Sequence, residues 1–158
     1  MIKVLFVCHG NICRSPMAEF LMKHTVKNLN ASNSFLIESK ATSSEEYGNP
    51  VHPGAKRKLL ELGIDASQKR AELLKKSDYE NYDYIIGMDS YNIKNMKRIL
   101  GEDYDGKIYK LLDFTENGGD IADPYYSGNF EDTYNDIING IIGFLKTLQE
   151  KKVVALWE

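Results

Sequence analysis

Cys8 and Arg14 bracket a five-residue run, and the segment Cys8-His9-Gly10-Asn11-Ile12-Cys13-Arg14-Ser15-Pro16 begins where an apolar stretch stops. A thiol at the start of a short loop and a guanidinium at its end make an oxyanion trap with a nucleophile at its floor. If the loop joins a strand to a helix, several backbone N–H groups aim at one point and the helix N-terminus adds positive potential there. Cys8 is the candidate nucleophile, because the thiolate is the reactive form of cysteine and such a setting favours it. Arg14 supplies the cation, and its planar fork binds two phosphoryl oxygens at once. Gly10 gives backbone freedom for a tight loop, and Asn11 tolerates a left-handed conformation. Ser15 is placed to donate toward the Cys8 sulfur. Pro16 falls near the first helical turn, where a missing N–H costs nothing.

Other residues near this loop keep two readings. Cys13 either packs as a small buried hydrophobe or forms a reversible disulfide with Cys8 that shields the nucleophile. His9 is adjacent to the nucleophile, but neighbouring side chains in a loop usually point apart. A departing alkoxide or phenoxide needs a proton, so an acid is required. Among 23 Asp and Glu residues, Asp123 stands out. Pro124 stiffens its loop, and Tyr125 and Tyr126 follow as candidate walls of a slot for a flat ring. The three histidines, His9, His24 and His52, show no i, i+4 ligand spacing, and two cysteines are too few for a four-cysteine site. No metal and no cofactor are expected.

The elements that must hold these groups are readable from hydrophobic period. Residues 2–7 read as a buried strand. Ala18, Leu21, Met22, Val26 and Leu29 recur at helical spacing. Residues 35–39 read as a second strand, followed by a polar, turn-rich stretch from Ala41 to Pro53. A helix is predicted from about Gly54 to Leu62, stopping at Gly63. Residues 84–88 read as the third strand. Asp89 or Ser90 then caps a helix carrying Ile93, Met96, Ile99 and Leu100 and ending at Gly101. Residues 107–111 read as the fourth strand. A loop from Asp113 to about Gly128 precedes the last helix, whose Phe130, Tyr134, Ile137, Ile138, Ile141, Ile142, Leu145 and Leu148 share a face. Gly140 and Gly143 weaken that helix and suggest a close approach. Strands alternating with helices predict an α/β fold, a parallel sheet covered on both faces. Ligands in such sheets bind beyond the C-terminal strand ends, where strand order switches, and Cys8 lies just past the first strand.

The chain of 158 residues is long enough for one domain, read as 1–158, with a real core. At 42% hydrophobic and 27% charged its composition is that of an ordinary globular protein. A net charge of -3 with dispersed Lys and Arg leaves no nucleic-acid footprint. No apolar stretch nears the ~18 residues needed to cross a membrane, and none has a signal-peptide pattern. A cytoplasmic, monomeric protein is expected.

Taken together, Val7-Cys8-His9-Gly10-Asn11-Ile12-Cys13-Arg14-Ser15-Pro16 and the distant Asp123-Pro124-Tyr125-Tyr126 resemble the low-molecular-weight protein tyrosine phosphatases. Tyr82-Asp83-Tyr84-Ile85 and Met88-Asp89 also fit, so the likeness spans nearly the whole chain. The resemblance implies a four-stranded parallel, twisted sheet flanked by helices, with the phosphate-binding loop after the first strand. It also implies a phosphocysteine intermediate, no metal, and a tyrosine-phosphorylated protein or peptide as partner, with phosphate or another oxyanion in the loop. The nucleophile falls on Cys8, the phosphate-binding arginine on Arg14 and the general acid on Asp123. Loop-stabilising residues fall on Asn11, Ser15 and Ser39, and a pocket-wall tyrosine on Tyr125.

Three positions depart from the pattern. His9 stands where leucine is common. Glu45 occupies the place of an aromatic that grips the substrate ring, so either Tyr47 swings in or the rim is more acidic. Gln68 replaces a histidine after the Gly63-Ile64 turn. Relatives that hydrolyse phosphoarginine carry Thr at the position of Ile12, and the branched apolar Ile12 favours an aryl pocket. Arsenate reductases share the loop but need further cysteines. A phosphocysteine carrier and a phosphotyrosine-binding module without turnover are the rival classes.

Overall fold

In the computed structural model, which describes residues 1–157, four parallel strands form one sheet in the order β2-β1-β3-β4. They are β1 (Ile2–Cys8), β2 (Phe35–Ala41), β3 (Tyr84–Gly87) and β4 (Ile108–Lys110). The central strand is β1, and Val4 to Val7 are entirely buried. Its alternation divides the core. Val4 and Phe6 face one cluster with Met17, Leu21, Leu59, Ile141 and Phe144, while Leu5 and Val7 face another with Leu74, Tyr82, Ile85 and Met96. A strand apolar on both faces belongs at the middle of a sheet covered on both sides. The continuous run from Ile2 to Val7 therefore specified the position of β1 as well as its type.

Six α-helices accompany the sheet: α1 (Arg14–Asn28), α2 (Pro53–Leu60), α3 (Asp78–Asn81), α4 (Ser90–Leu100), α5 (Pro124–Ser127) and α6 (Phe130–Glu150). The cap of α4 is Asp89 rather than Ser90. Its carboxylate accepts from Asn92 N–H at 2.7 Å, while Asn92 Oδ1 accepts from the Asp89 N–H at 3.3 Å, a reciprocal capping box. The turns α3 and α5 were not foreseen; a four-residue helix is too short to show a period. The fourth strand is shorter than predicted, because Leu111 to Phe114 coil into a 3-10 turn. Gly87 ends β3 where a Cβ would lie 2.8 Å from Met96 Sδ, so only glycine lets α4 pack this closely on the sheet.

The buried face of α6 carries Ile137, Ile141, Phe144, Leu145 and Leu148, whereas Ile138 and Ile142 are half-buried. Phe144 takes the place expected of Ile142, because the stripe advances by three and four residues and 142 falls beside it. Phe144 meets Tyr84 and Phe114 with ring centroids 5.1 and 4.9 Å away. The C-terminal segment folds back: the Leu156 and Trp157 N–H groups donate to Gln149 Oε1, and Val154 and Leu156 pack on the main cluster. No described helix is long and apolar enough to cross a membrane.

β1 pairs with β2 on one side and β3 on the other. The chain runs outward one way to β2 and then returns across β1 to β3, so the strand order reverses between β1 and β3. The C-terminal ends of these two strands bring Cys8 beside Met88 and Asp89 at the crevice where such sheets bind ligands.

Gly140 and Gly143 are where α6 approaches the 3-10 turn. A Cβ at 140 would meet the Leu111 side chain, and one at 143 would overlap the Phe114 backbone carbonyl. Helix propensity alone favours alanine by ~1 kcal/mol at either site. Overlap with backbone has no rotamer to relieve it, so Gly143→Ala is expected to destabilise by about 1–2 kcal/mol net and lower Tm by ~2–6 °C. Gly140→Ala should cost less, since Leu111 has rotamers to adjust. Thermal unfolding of the pair checks the order; a Gly143→Ala protein more stable than wild type would refute it.

Candidate active site

The loop from Cys8 to Cys13 turns around one sulfur. Asn11 N–H and Ser15 N–H point at Cys8 Sγ over 3.3 and 3.4 Å, and Ser15 Oγ lies 3.0 Å from it. The left-handed residue of the loop is Asn11, at φ 59°, and Gly10 is not among the positive-φ glycines. A Cβ at Gly10 would lie 3.3 Å from Glu46 Cγ, a close approach that a small shift of that side chain relieves. The 15-residue α1 starts at Arg14, so its N-terminus opens onto the same loop.

Beneath the loop lies a buried polar chain. Asn11 Nδ2 donates to Ser15 Oγ at 2.7 Å and to Ser39 Oγ at 2.9 Å, while its Oδ1 accepts from Glu72 N–H at 3.0 Å. Ser39 Oγ in turn donates to Glu19 Oε1 at 2.6 Å. Glu19 is buried and answered by two cations, Lys23 at 2.6 Å and Lys69 at 3.5 Å. Lys69 also donates to Ser39 O at 2.8 Å. The expectation that Asn11, Ser15 and Ser39 support the loop thus finds them in one hydrogen-bonded unit. Glu19, Lys69 and Glu72 were missed. Lys69, one residue after the departure at Gln68, reaches the network.

Arg14 is buried to 2% exposure. Its Nη1 donates to Asp89 Oδ2 at 2.7 Å and to Ile121 O at 2.8 Å, and Nη2 approaches Asp123 Oδ2 at 3.5 Å. Burial works against the guanidinium charge, but negative charge at Cys8, Asp89 and Asp123 holds its pKa above the ordinary value. Nε is buried and has no hydrogen-bond partner among the described residues. With both Nη1 protons committed, the Nε–Nη2 side of the fork is the part left to bind an oxyanion. A buried donor without a partner is costly, and a tetrahedral anion in the loop offers one.

Asp123 caps the short α5: its Oδ1 accepts from Tyr125 N–H at 3.0 Å, and Pro124 occupies the first helical position. The segment before it is fastened at several points. Asp120 Oδ1 accepts from Ser90 N–H and Oγ at 3.1 and 3.2 Å and pairs with Lys110 at 2.9 Å. Ile121 N–H donates to Met88 O at 3.0 Å, and Thr133 Oγ1 donates to Ala122 O at 3.1 Å. Asp123 is thereby held across the crevice from Cys8.

Cys8, Arg14 and Asp123 line one cleft with Gly10, Ile12 and Cys13. His9, Glu45, Glu46, Tyr125 and Tyr126 complete it. Tyr47, expected as a wall residue, does not line the cleft and is two-thirds exposed; Glu46 stands there instead. The turn from Ser44 to Tyr47, closed by Tyr47 N–H on Ser44 O, turns residue 46 inward. His9 Nε2 lies 3.1 Å from Glu45 Oε2, which commits this imidazole to the rim. Tyr125 and Tyr126 meet edge to face at 5.2 Å. Cys8 and Cys13 are both free thiols in the structure. Burial first, and then the negative charge at Cys8, push the Cys13 thiol well above its ordinary pKa. Cys13 therefore sits in the cleft as a protonated thiol. Among the described residues no group of three His, Cys, Asp or Glu is arranged to hold a metal ion.

The Lys110 ion pair, aided by the Ser90 donors, holds the Asp120 carboxyl below its ordinary value of 3.8. A carboxyl depressed on folding stabilises the native state above its unfolded pKa, and that contribution is lost as the pH falls through the lower folded value. Asp120→Asn is therefore expected to be less stable than wild type near neutral pH, with the gap closing below about pH 4. Urea unfolding across this range checks it; a gap that ignores pH would exclude the carboxylate as the clip.

Comparison with known proteins agrees with this geometry. The family model described as low molecular weight phosphotyrosine protein phosphatase matches residues 3–154. The low molecular weight protein-tyrosine-phosphatase YfkJ of Bacillus subtilis is 36% identical over 154 residues, covering 96% of this chain and 99% of its own length. Its crystal structure superposes with a TM-score of 0.92 over 96% of this chain and 97% of that one. The Streptococcus pyogenes enzyme SP-PTP is 44% identical with a TM-score of 0.84, covering 97% of each chain. Vibrio vulnificus Wzb, solved with benzylphosphonate, is 25% identical with a TM-score of 0.81, covering 93% of this chain and 99% of that one. A sulfur ringed by amide donors, a buried arginine with a free edge and a facing carboxylate thus occur in a chain that belongs to the low molecular weight protein-tyrosine-phosphatase family, whose members are phosphoric monoester hydrolases.

Proposed function

We propose that Cys8 is the nucleophile, Arg14 the phosphoryl clamp and Asp123 the general acid and base in hydrolysis of phosphotyrosine on proteins or peptides. The observation that carries this reading is the convergence on one cleft of the Cys8 sulfur with its two N–H donors, the unpartnered Arg14 Nε and the Asp123 carboxyl. In the first step the Cys8 thiolate attacks phosphorus, an S–P bond forms and the P–O bond to the aryl group breaks. Protonated Asp123 gives its proton to the leaving oxygen, and tyrosine departs as a neutral phenol. In the second step water attacks the phosphocysteine and gives a proton to the Asp123 carboxylate. The S–P bond breaks, phosphate leaves and the thiolate returns. Arg14 and the loop amides hold the equatorial oxygens through both steps, and positioning with charge stabilisation is most of phosphoryl-transfer catalysis.

Ile12 and Tyr125 give the cleft apolar and aromatic surface for a ring, and the benzylphosphonate held by the Vibrio relative likewise joins a ring to a phosphorus oxyanion. The thiol side chain of Cys13 lines the cleft without a step of its own.

Cys8→Ser is expected to abolish turnover. Asp123→Ala should lower kcat on phosphotyrosine by about 10²-fold or more, and less on p-nitrophenyl phosphate, whose anion leaves unaided. Equal losses on the two would remove Asp123 from the acid role. The reaction needs a deprotonated thiol and a protonated carboxyl together, so its pH–rate profile should be bell-shaped, and Asp123→Ala should remove one limb. A panel of phosphotyrosine, phosphoserine and phosphoarginine substrates decides the substrate class. Faster turnover of phosphoarginine would overturn the aryl assignment while leaving the Cys8 chemistry in place.

A further inference from the structure

His52 lies outside the cleft and outside the steps just derived, yet it touches three parts of the site. Its backbone N–H donates to Ile12 O at 2.8 Å, which ties it to the catalytic loop. Its Nδ1 accepts from Gly54 N–H at 3.0 Å and caps α2, so the ring proton of the neutral form sits on Nε2. The imidazole face stacks on Phe130 at 5.3 Å with an interplanar angle of 25°. Its edge relation to Tyr125 is near perpendicular, at 6.0 Å and 78°. Tyr125 meets Tyr126 in the same way. Four rings, Phe130, His52, Tyr125 and Tyr126, thus run in sequence from the first residue of α6 to the mouth of the cleft.

This row has a fixed end and a free end. Phe130 wedges against Gly54, where any Cβ would collide with its ring. Its neighbour His52 cannot swing without breaking the α2 cap. Tyr125 is more than half exposed and Tyr126 more so. An exposed tyrosine on a four-residue helix has little buried packing to choose a rotamer, and its ring neighbours here are Tyr126, itself more exposed, and His52. The perpendicular contact with a locked imidazole supplies that choice.

We propose that His52 is a positioning residue that sets the Tyr125 ring as the wall for the substrate's aryl group, and so fixes aryl specificity from outside the cleft. The proposal rests on the reading that an aryl phosphate binds against Tyr125. His52 combines two functions that substitution separates, a capping acceptor and an aromatic ring. Asparagine keeps the cap and lacks the ring; phenylalanine keeps the ring and lacks the cap.

The test compares His52→Asn and His52→Phe in the full chain, with phosphotyrosine peptide and p-nitrophenyl phosphate as substrates and inorganic phosphate as competitive inhibitor. A wall contact made equally in ground and transition states appears in KM and not in kcat. For His52→Asn we expect KM to rise about 3- to 10-fold on both aryl substrates, from the usual worth of one aromatic pair, with kcat and the phosphate inhibition constant unchanged. His52→Phe should restore the wild-type KM while lowering Tm by ~2–4 °C through the lost cap. His52→Ser, also a capping residue without a ring, repeats the first variant if asparagine fails to fold. Wild-type KM in the ringless variants would overturn the proposal. So would a KM raised equally by His52→Phe, or a weakened phosphate inhibition, since each traces the effect to the cap or the loop. Failure of the underlying reading would show separately, as wild-type protein that does not turn over aryl phosphates.

Discussion

The site depends on the polarity of one buried hydrogen-bonded chain, and a carboxylate sets that polarity. Glu19 is an acceptor only, so the Ser39 hydroxyl must donate to it. Ser39 then has only lone pairs for Asn11, which places the Asn11 amide nitrogen toward Ser39 and its oxygen toward Glu72 N–H. The second amide hydrogen goes to Ser15 Oγ, which leaves the Ser15 hydroxyl proton free for the Cys8 sulfur. Reversing any link would aim a lone pair at the sulfur, where negative charge must sit. Asn11 serves both ends of this arrangement. Its left-handed backbone directs an N–H at Cys8, and its side chain is the two-way donor below. A buried carboxylate is costly unless paired, and Lys23 and Lys69 make the anchor tolerable.

A second tie joins the two halves of the crevice. Arg14 belongs to α1, which follows β1, while Asp89 follows β3 and Ile121 and Asp123 belong to the segment before α6. All three Arg14 side-chain contacts reach carboxylates or a carbonyl more than 70 residues away, and they place the Cys8 loop and the Asp123 segment against each other. The parallel sheet makes this possible by ending β1 and β3 side by side. The capping box of α4 is part of the same device. One Asp89 oxygen caps the helix and the other holds Arg14, so local helix chemistry orients a group used at long range.

Much of this was legible in the sequence, and the boundary follows from physics. Periods of two and 3.6 mark strands and long helices, and the alternation of the two types predicted the parallel sheet. The Cys8–Arg14 spacing and the Asp123-Pro124 turn are local, so residues that line the cleft on both sides were singled out from their own neighbourhoods. Glu19, Lys69 and Glu72 were not, because a charged residue on an amphipathic helix or loop reads as solvated. Only the approach of segments about 20 to 60 residues apart brings the Glu19 carboxylate, the Lys69 ammonium and the Glu72 backbone N–H onto one network. Tyr47 was misplaced for a related reason. In a tight turn, adjacent residues face opposite ways, and nothing local told residue 46 from residue 47. His52 gave no signal because histidine is not among the favoured capping residues and its ring partners, Tyr125 and Phe130, lie more than 70 residues on.

The two layers of the site face different constraints. Asn11, Arg14, Ser15, Glu19 and Ser39 are almost wholly buried and share their bonds, so loss of one leaves another unsatisfied. Substitution there costs stability and chemistry together. The rim is built otherwise. His9 pairs with Glu45 across exposed surface, and Tyr125 meets Tyr126 and His52 edge to face. Exchanging a rim side chain strands no buried polar atom. The departures from the family pattern at positions 9 and 45 lie in this exposed layer, so under the proposed mechanism they change the surface a substrate meets and leave the buried network beneath the loop as it is.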